Sequence, residues 1–278
     1  MFVYRKNGGV GYYCSTLLVS LHGFSTRKGG VSALADLAGM NLAFGRGDDN
    51  ATVLENLRLF ANAVGIAPDS VISLPQVHGT EVMRVTSDDA GRGYVKEANG
   101  TGDGYVTQDT DVTLGVKSAD CVPVLLEARD AKGHVLGVAA VHAGWRGTAG
   151  GIVPNAVRAL RELCAEDAKI FAAIGPCIGD CCFEVGQDCV DEFIRLCGTE
   201  LTDACFVKAG NGKYFGDLVL VNRLLLHRAG IPDSQIDAAG ICTCCHPALF
   251  FSHRYAVKHT NSQRGTMLSV IRMPNERC

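Results

Sequence analysis

The chain lacks the markers of several large classes of protein. No apolar run approaches the roughly 20 residues needed to span a bilayer, so a membrane-embedded helix is not expected. Residues 1–20 mix charges with glycines and show no uninterrupted apolar segment before a small-residue cleavage site. That argues against a secretory signal, and a soluble, cytoplasmic protein is expected. No Pro/Ser-rich linker, charge block or fixed-period repeat divides the sequence, and residues 1–278 are read as a single domain. A basic excess is missing too: 26 Lys and Arg face 29 Asp and Glu, a net charge of -3. This argues against nucleic acid as a partner, because phosphate backbones select basic surfaces. Aromatic residues make up only 7%, and Trp145 is the sole tryptophan.

Cysteine, by contrast, is abundant, with 13 residues. An odd number in a chain with no export signal favours reduced thiols and a metal ligand over a disulfide framework. Cys177, Cys181 and Cys182 form one local cluster, and Cys242, Cys244 and Cys245 precede His246 in another. Neither cluster by itself shows the paired C-x-x-C spacing of a structural zinc site or the run of an iron–sulfur protein. Either could bind a second metal, and the plainer reading of both is small buried residues in tight turns and strand ends.

The remaining cysteine of interest, Cys121, belongs to a different pattern. It lies in Ser118-Ala119-Asp120-Cys121-Val122-Pro123, while His78 lies in Gln76-Val77-His78-Gly79-Thr80 and His142 in Val141-His142-Ala143-Gly144-Trp145-Arg146-Gly147. All three stand at ends of β-branched apolar runs, where a rigid strand can aim a side chain into a cleft. Two imidazoles and a thiolate suit Zn²⁺, and three protein ligands leave one tetrahedral position open, as catalytic zinc sites do. Cu²⁺ is also possible, because it outcompetes zinc at most such sites.

Hydrophobic periodicity predicts an α+β fold, with mixed β-sheets packed between helices in layers. Strands are expected at Tyr12–Leu21, Val71–Leu74, Val82–Thr86, Val112–Val116, Val122–Ala128, Val135–Val141, Lys169–Ile174, Gln235–Ala239 and Met267–Arg272. A helix begins at Asp49 or Asn50, puts Val53, Leu57, Phe60, Ala61 and Val64 on one face, and stops at Gly65. Further helices are expected at Gly151–Ala165, Gly186–Cys197 and Asp217–Ala229. If Val122–Ala128 and Val135–Val141 form an antiparallel hairpin, Cys121 and His142 become neighbours at one sheet edge. His78 must then arrive from a separate loop.

Flanking residues extend this site. Asp120 is placed to accept the second imidazole N–H of a ligating histidine. The Trp145 indole offers a wall for a planar aromatic substrate, and the Arg146 fork suits phosphate or carboxylate. Thr26-Arg27-Lys28-Gly29-Gly30-Val31-Ser32 combines cations with glycines able to form an anion-binding concavity. Arg254 and Arg264 are additional anion candidates.

QVHGT, SADCVPVLL, VHAGWRGT and IGPCIG…CFEVG, in that order, resemble the laccase-domain family, whose members have been called both multicopper polyphenol oxidases and purine nucleoside phosphorylases. The similarity runs from about His22 to Arg272. It implies His78, Cys121 and His142 as metal ligands and an active site at or near a homodimer interface. It further implies phosphorolysis of adenosine, inosine and methylthioadenosine, with accompanying adenosine deamination. The substrates are then small nucleosides and phosphate. Arg27, in the matching TRKGGVS segment, is implied as an active-site cation. Tyr255 follows Arg254 where many relatives carry a second arginine, and Arg264-Gly265 stands where many have Gly-Arg, which weakens the anion role of that region. True laccases gather several coppers with His-x-His pairs, and none of the 8 histidines here forms one. For deamination the usual zinc-deaminase signature is absent, leaving Asp120 and Glu184 as candidate proton carriers. Competing readings are a Cys121-nucleophile or zinc hydrolase acting on amides, a non-catalytic metal-dependent binding module, and a copper-dependent oxidase.

Overall fold

The computed structural model describes residues 1–260 and 264–275. Its centre is a pair of six-stranded sheets. The first runs Phe2–Asn7, Val10–Ser15, Leu21–Ser25, Met267–Arg272, Thr113–Ser118, Val71–Ile72. The second runs Ile236–Ala238, Lys169–Ile174, Val122–Arg129, Val135–Ala143, Gly104–Thr107, Val82–Arg84. Most neighbours are antiparallel, but each sheet has a parallel edge: Val71–Ile72 beside Thr113–Ser118 in the first, and both outer strands in the second. The expected mixed α+β architecture is thus present.

Alternation along the strands explains the layering. In Val122–Arg129, Val122, Val124, Leu126 and Ala128 share a cluster with the helices outside the second sheet, whereas Leu125 packs between the sheets. In Val135–Ala143, Ala139, Val141 and Ala143 face the helices, and Val138 and Ala140 face the first sheet. Successive strand residues point to opposite faces, so burial on both sides demands the nearly continuous apolar runs seen here. The inter-sheet core is completed from the first sheet by Phe24, Ile72, Leu114, Val116 and Ile271.

Helices close both outer faces. Asn50–Val64 buries Val53, Leu57, Phe60, Ala61 and Val64, the five residues its periodicity picks out. Gly65 ends it at φ +92°, a left-handed cap that glycine adopts without a Cβ clash. Over the second sheet, Ile152–Leu163 buries Ile152, Val153, Ala156, Val157 and Leu160. Gln187–Cys197 and Leu218–Arg228 pack into the same cluster through Phe193, Val221 and Leu226.

The expected strand Tyr12–Leu21 is instead two strands, Val10–Ser15 and Leu21–Ser25. The buried carboxylate of Glu127 explains the break, since it accepts the Ser20 N–H at 2.7 Å and the Val19 N–H at 3.4 Å, turning the chain between them. The strands Phe2–Asn7 and Gly104–Thr107 carry weak periodicity and escape the sequence reading. So does a small third sheet of Glu184–Gly186, Lys213–Gly216 and Phe206–Gly210. Among the described residues no helix is long and apolar enough to cross a membrane.

Leu126 is fully buried on the strand that follows Cys121. Leu126→Ala removes that packing and leaves a cavity, and is expected to cost about 2–5 kcal/mol. A denaturant titration showing an unchanged m-value and a lower midpoint checks this.

Candidate metal centre

The hairpin juxtaposition holds. Val122 pairs with Ala143 and Pro123 with His142, so Cys121, one residue before its strand, lies beside His142 at the end of the neighbouring strand. His78 comes from the loop after Val71–Ile72, and its backbone takes φ +60°, uncommon for a residue with a Cβ. Asp103 holds it there. Its carboxylate accepts the N–H groups of Val77 at 2.9 Å, His78 at 3.0 Å and Gly79 at 2.9 Å. The same carboxylate lies 2.7 Å from His142 Nδ1, and the Asp103 carbonyl accepts the His142 N–H at 2.7 Å. One buried acid therefore sets the His78 loop and the His142 ring together. With Nδ1 turned to Asp103, the Nε2 of His142 is left for the site.

Asp103 performs the role expected of Asp120. The Asp120 carboxylate points elsewhere, accepting the Thr243 hydroxyl at 2.6 Å and the Arg254 N–H at 2.7 Å. Asp120 adopts φ +100°, a strained conformation for a non-glycine residue, which turns the chain immediately ahead of Cys121. Sequence reading missed Asp103, although Gly102-Asp103-Gly104 opening a strand is a signal: an acid between two residues without side chains lets several N–H groups approach it closely.

The ligand atoms of His78, Cys121 and His142 lie within 4.8 Å of one another. Cys121 Sγ is 3.8 Å from His78 Nε2, and the two imidazole rings are 4.8 Å apart and nearly perpendicular. Space beside them is kept by Gly144, where a Cβ would come within 2.6 Å of His78 Cδ2 and 3.3 Å of Cys121 Sγ. Two nitrogens and a sulfur converging at this range fit a metal ion, zinc-like in donor chemistry. Burial opposes ionisation of Cys121, but hydrogen bonds from His142 and His78 outweigh it and draw the thiol down to about 6. His142 is likewise opposed by burial, yet Asp103 and Cys121 raise it to about 9. Burial would also raise the Asp103 carboxyl, but His142 and the loop N–H groups hold it below its usual range. Without metal the pair is a thiolate and an imidazolium between those two values.

Two recesses meet at the trio, each touching His78, Ala119, Cys121 and Arg264. One, of about 490 Å³, carries the cations Arg46, Lys117 and Arg264. The other, of about 420 Å³, is lined by Trp145, Ile178, Phe183, Asp120, Arg146 and Arg254. Lys117 and Arg46 were not anticipated, since isolated cations carry no motif. Burial, reinforced by Arg46, lowers Lys117 to about 8.

Other anticipated residues are differently employed. Arg27 lines neither recess; its guanidinium donates to the carbonyls of Ala38 at 3.1 and 3.2 Å and of Pro247 at 2.9 Å, and lies over Phe251. Arg146 stacks 4.2 Å over Trp145, so one face of the indole is already covered. Arg254 donates to the carbonyls of Cys182 and Glu184. Glu184 is exposed and lines neither recess. Among the described residues the groups of His, Cys, Asp and Glu able to hold a metal are this trio and a set of four thiols.

A layered α+β frame presents a His-Cys-His set that could hold a metal ion at the junction of two recesses. Residues 21–274 match the family described as multi-copper polyphenol oxidoreductase laccase, and the chain belongs to that family. It is 37% identical over 253 residues to purine nucleoside phosphorylase YlmD of Geobacillus stearothermophilus, covering 90% of this chain and 88% of the relative. It is 35% identical over 238 residues to adenosine deaminase RL5 from an unknown prokaryotic organism, covering 83% and 87%. The crystal structure of Bacillus licheniformis hypothetical protein YfiH superposes with a TM-score of 0.83 at 29% identity, over 98% of this chain and 99% of that one. YlmD from Geobacillus stearothermophilus gives 0.82 at 31%, with 98% and 99% covered.

In metal-free protein, alkylation of Cys121, followed by peptide mass spectrometry, should accelerate through a midpoint near pH 6 as the thiolate forms. His142→Ala should move that midpoint upward, and an unchanged midpoint contradicts the pairing. Asp103→Ala should weaken metal binding by about 10–100-fold, read by competition with a chromophoric chelator.

Proposed function

We propose that this chain is a zinc-dependent purine nucleoside phosphorylase. Its substrates are adenosine, inosine and methylthioadenosine, and adenosine deamination accompanies phosphorolysis. The observation that carries this reading is the open His78–Cys121–His142 set lying where two cation-lined recesses meet, one of them also walled by Trp145 and Phe183. The phosphorylase and deaminase names of the relatives support it.

In this reading Arg46, Lys117 and Arg264 gather phosphate in the first recess, while Trp145 and Phe183 receive the purine in the second. The two are then apposed across the trio, converting a bimolecular encounter into an oriented one. An oxygen of hydrogen phosphate bonds to the anomeric carbon, the carbon–nitrogen bond to the base breaks, and the base leaves with that electron pair and takes up the proton that the phosphate gives up. The products are free base and a pentose 1-phosphate. His78, Cys121 and His142 would hold the zinc, which supplies Lewis acidity at the junction when bound. Arg146 buttresses the indole and adds positive potential. Asp120 acts as a positioning residue, fixing the Thr243 and Arg254 segments. Arg27 braces the Ala38 and Pro247 carbonyls. The working form is a cytoplasmic homodimer, as the family resemblance implies.

The ionised Cys121 favours one rival, a cysteine-nucleophile hydrolase of amides. Chelation separates them: removing metal should abolish turnover and added Zn²⁺ restore it, whereas a thiol hydrolase keeps its activity. The defining assay is inosine plus phosphate with zinc-loaded protein, read as free hypoxanthine. Absence of both hypoxanthine and, from adenosine, ammonia contradicts the proposal.

Lys117 loses its charge as pH rises through about 8. The KM for phosphate should therefore increase above that pH. Lys117→Met should raise it by about 10–100-fold at neutral pH, the loss of one charge-assisted hydrogen bond, and flatten its pH dependence.

A further inference from the structure

The two cysteine clusters separated in sequence meet in space. The ligand atoms of Cys181, Cys182, Cys242 and Cys245 all lie within 4.8 Å of one another. Cys245 Sγ is 3.4 Å from Cys182 Sγ and 3.5 Å from Cys181 Sγ, and the sulfurs of the adjacent Cys181 and Cys182 are 3.8 Å apart. A tetrahedral ion with bonds of about 2.3 Å to four thiolates spaces its sulfurs about 3.8 Å apart. We propose that these four residues form a second, structural metal site, a mononuclear tetrathiolate centre for Zn²⁺, separate from the His78–Cys121–His142 set.

This corrects the expectation of small buried residues in turns. Cys181 and Cys245 are exposed, and Cys182 and Cys242 are half-buried. Cys242-Thr243-Cys244-Cys245 is a C-x-x-C limb already present in the sequence, and the fold brings the adjacent pair Cys181-Cys182 up to it as the second limb.

The backbone around the thiols is arranged for the purpose. A parallel bridge joins Cys177 to Cys242, reinforced by the Thr243 N–H on the Cys177 carbonyl at 2.9 Å, so the two limbs are in fixed register. The Gly179 N–H donates to Cys242 Sγ at 3.2 Å, a bond that spreads thiolate charge. A Cβ on Gly179 would lie 3.1 Å from Cys242 Cβ, 3.4 Å from Cys181 Sγ and 3.5 Å from Cys242 Sγ, so glycine keeps the cradle open. No two of these sulfurs are within the about 2.05 Å of a disulfide bond, and all four are free thiols. They are too close for a cubane, whose four irons push their cysteines further apart. Binding replaces four S–H bonds with four metal–sulfur bonds and releases the protons to solvent.

The position of the site gives it a job. Thr243, inside the C-x-x-C limb, holds Asp120 next to Cys121, and the Arg254 guanidinium grips the Cys182 and Glu184 carbonyls. Ile178 and Phe183, from the other limb, line the aromatic recess. A metal joining the limbs therefore staples that wall together.

The test is metal content and cobalt spectroscopy of the full chain, purified anaerobically with reductant. Wild type should retain two zinc equivalents. His78→Ala/His142→Ala should keep one, and its Co²⁺ form should show intense sulfur-to-cobalt charge transfer with tetrahedral d–d bands. Cys181→Ser/Cys245→Ser should keep the other equivalent, lose the tetrathiolate spectrum and melt several degrees lower. Cys164→Ser is the control, and cobalt titration of metal-free wild type gives a readout that needs no variant. Loss of all zinc from the double-histidine variant overturns the proposal. So does iron with acid-labile sulfide, or a disulfide between any two of the four cysteines in the peptide map. Because the readout is metal and not turnover, this result stands apart from the phosphorylase reading.

Discussion

The arrangement rests on the carboxylate of Asp103. It is almost wholly buried, and burial of a bare negative charge is costly unless donors surround it. Here the donors are three consecutive N–H groups of the Val77–Gly79 loop and the imidazole of His142. Each partner stabilises the acid, and the acid in turn fixes each partner. The loop is bent so that His78 takes a left-handed backbone, and the His142 ring is oriented with its far nitrogen toward Cys121. Two ligands from distant segments are thereby positioned by one buried charge, while the third is brought by strand pairing.

That division of labour explains how much was legible beforehand. The hairpin bringing Cys121 to His142 follows from two apolar runs and the antiparallel rule, both local signals. The helix Asn50–Val64 follows from a 3.6-residue period and a terminal glycine. Asp103 is a long-range partner with a short, uncharacteristic context, and Asp120, adjacent to a ligand, looked the better acid. Lys117, Arg46 and the third sheet were hidden for the same reason: their roles arise only when separate strands are stacked. The four thiols are not legible as one site because the C-x-x-C at Cys242–Cys245 has no second limb nearby in sequence; the bridge between Cys177 and Cys242 brings Cys181 and Cys182 to it.

The chain belongs to a family whose description speaks of several coppers, yet the geometry offers an ion three ligands from two imidazoles and one thiolate. Such a set leaves a coordination position available, which suits Lewis-acid chemistry on a bound substrate. Cations line the recesses on both sides, and the one toward Trp145 adds the indole and the Phe183 ring.

The most direct measurement is an anomalous difference map, recorded at the zinc edge from crystals of the zinc-loaded protein. The account requires a peak bonded to His78, His142 and the Cys121 sulfur, with the Asp103 carboxylate still on the far nitrogen of His142. No peak at that position, or one bonded to neither imidazole, would contradict it.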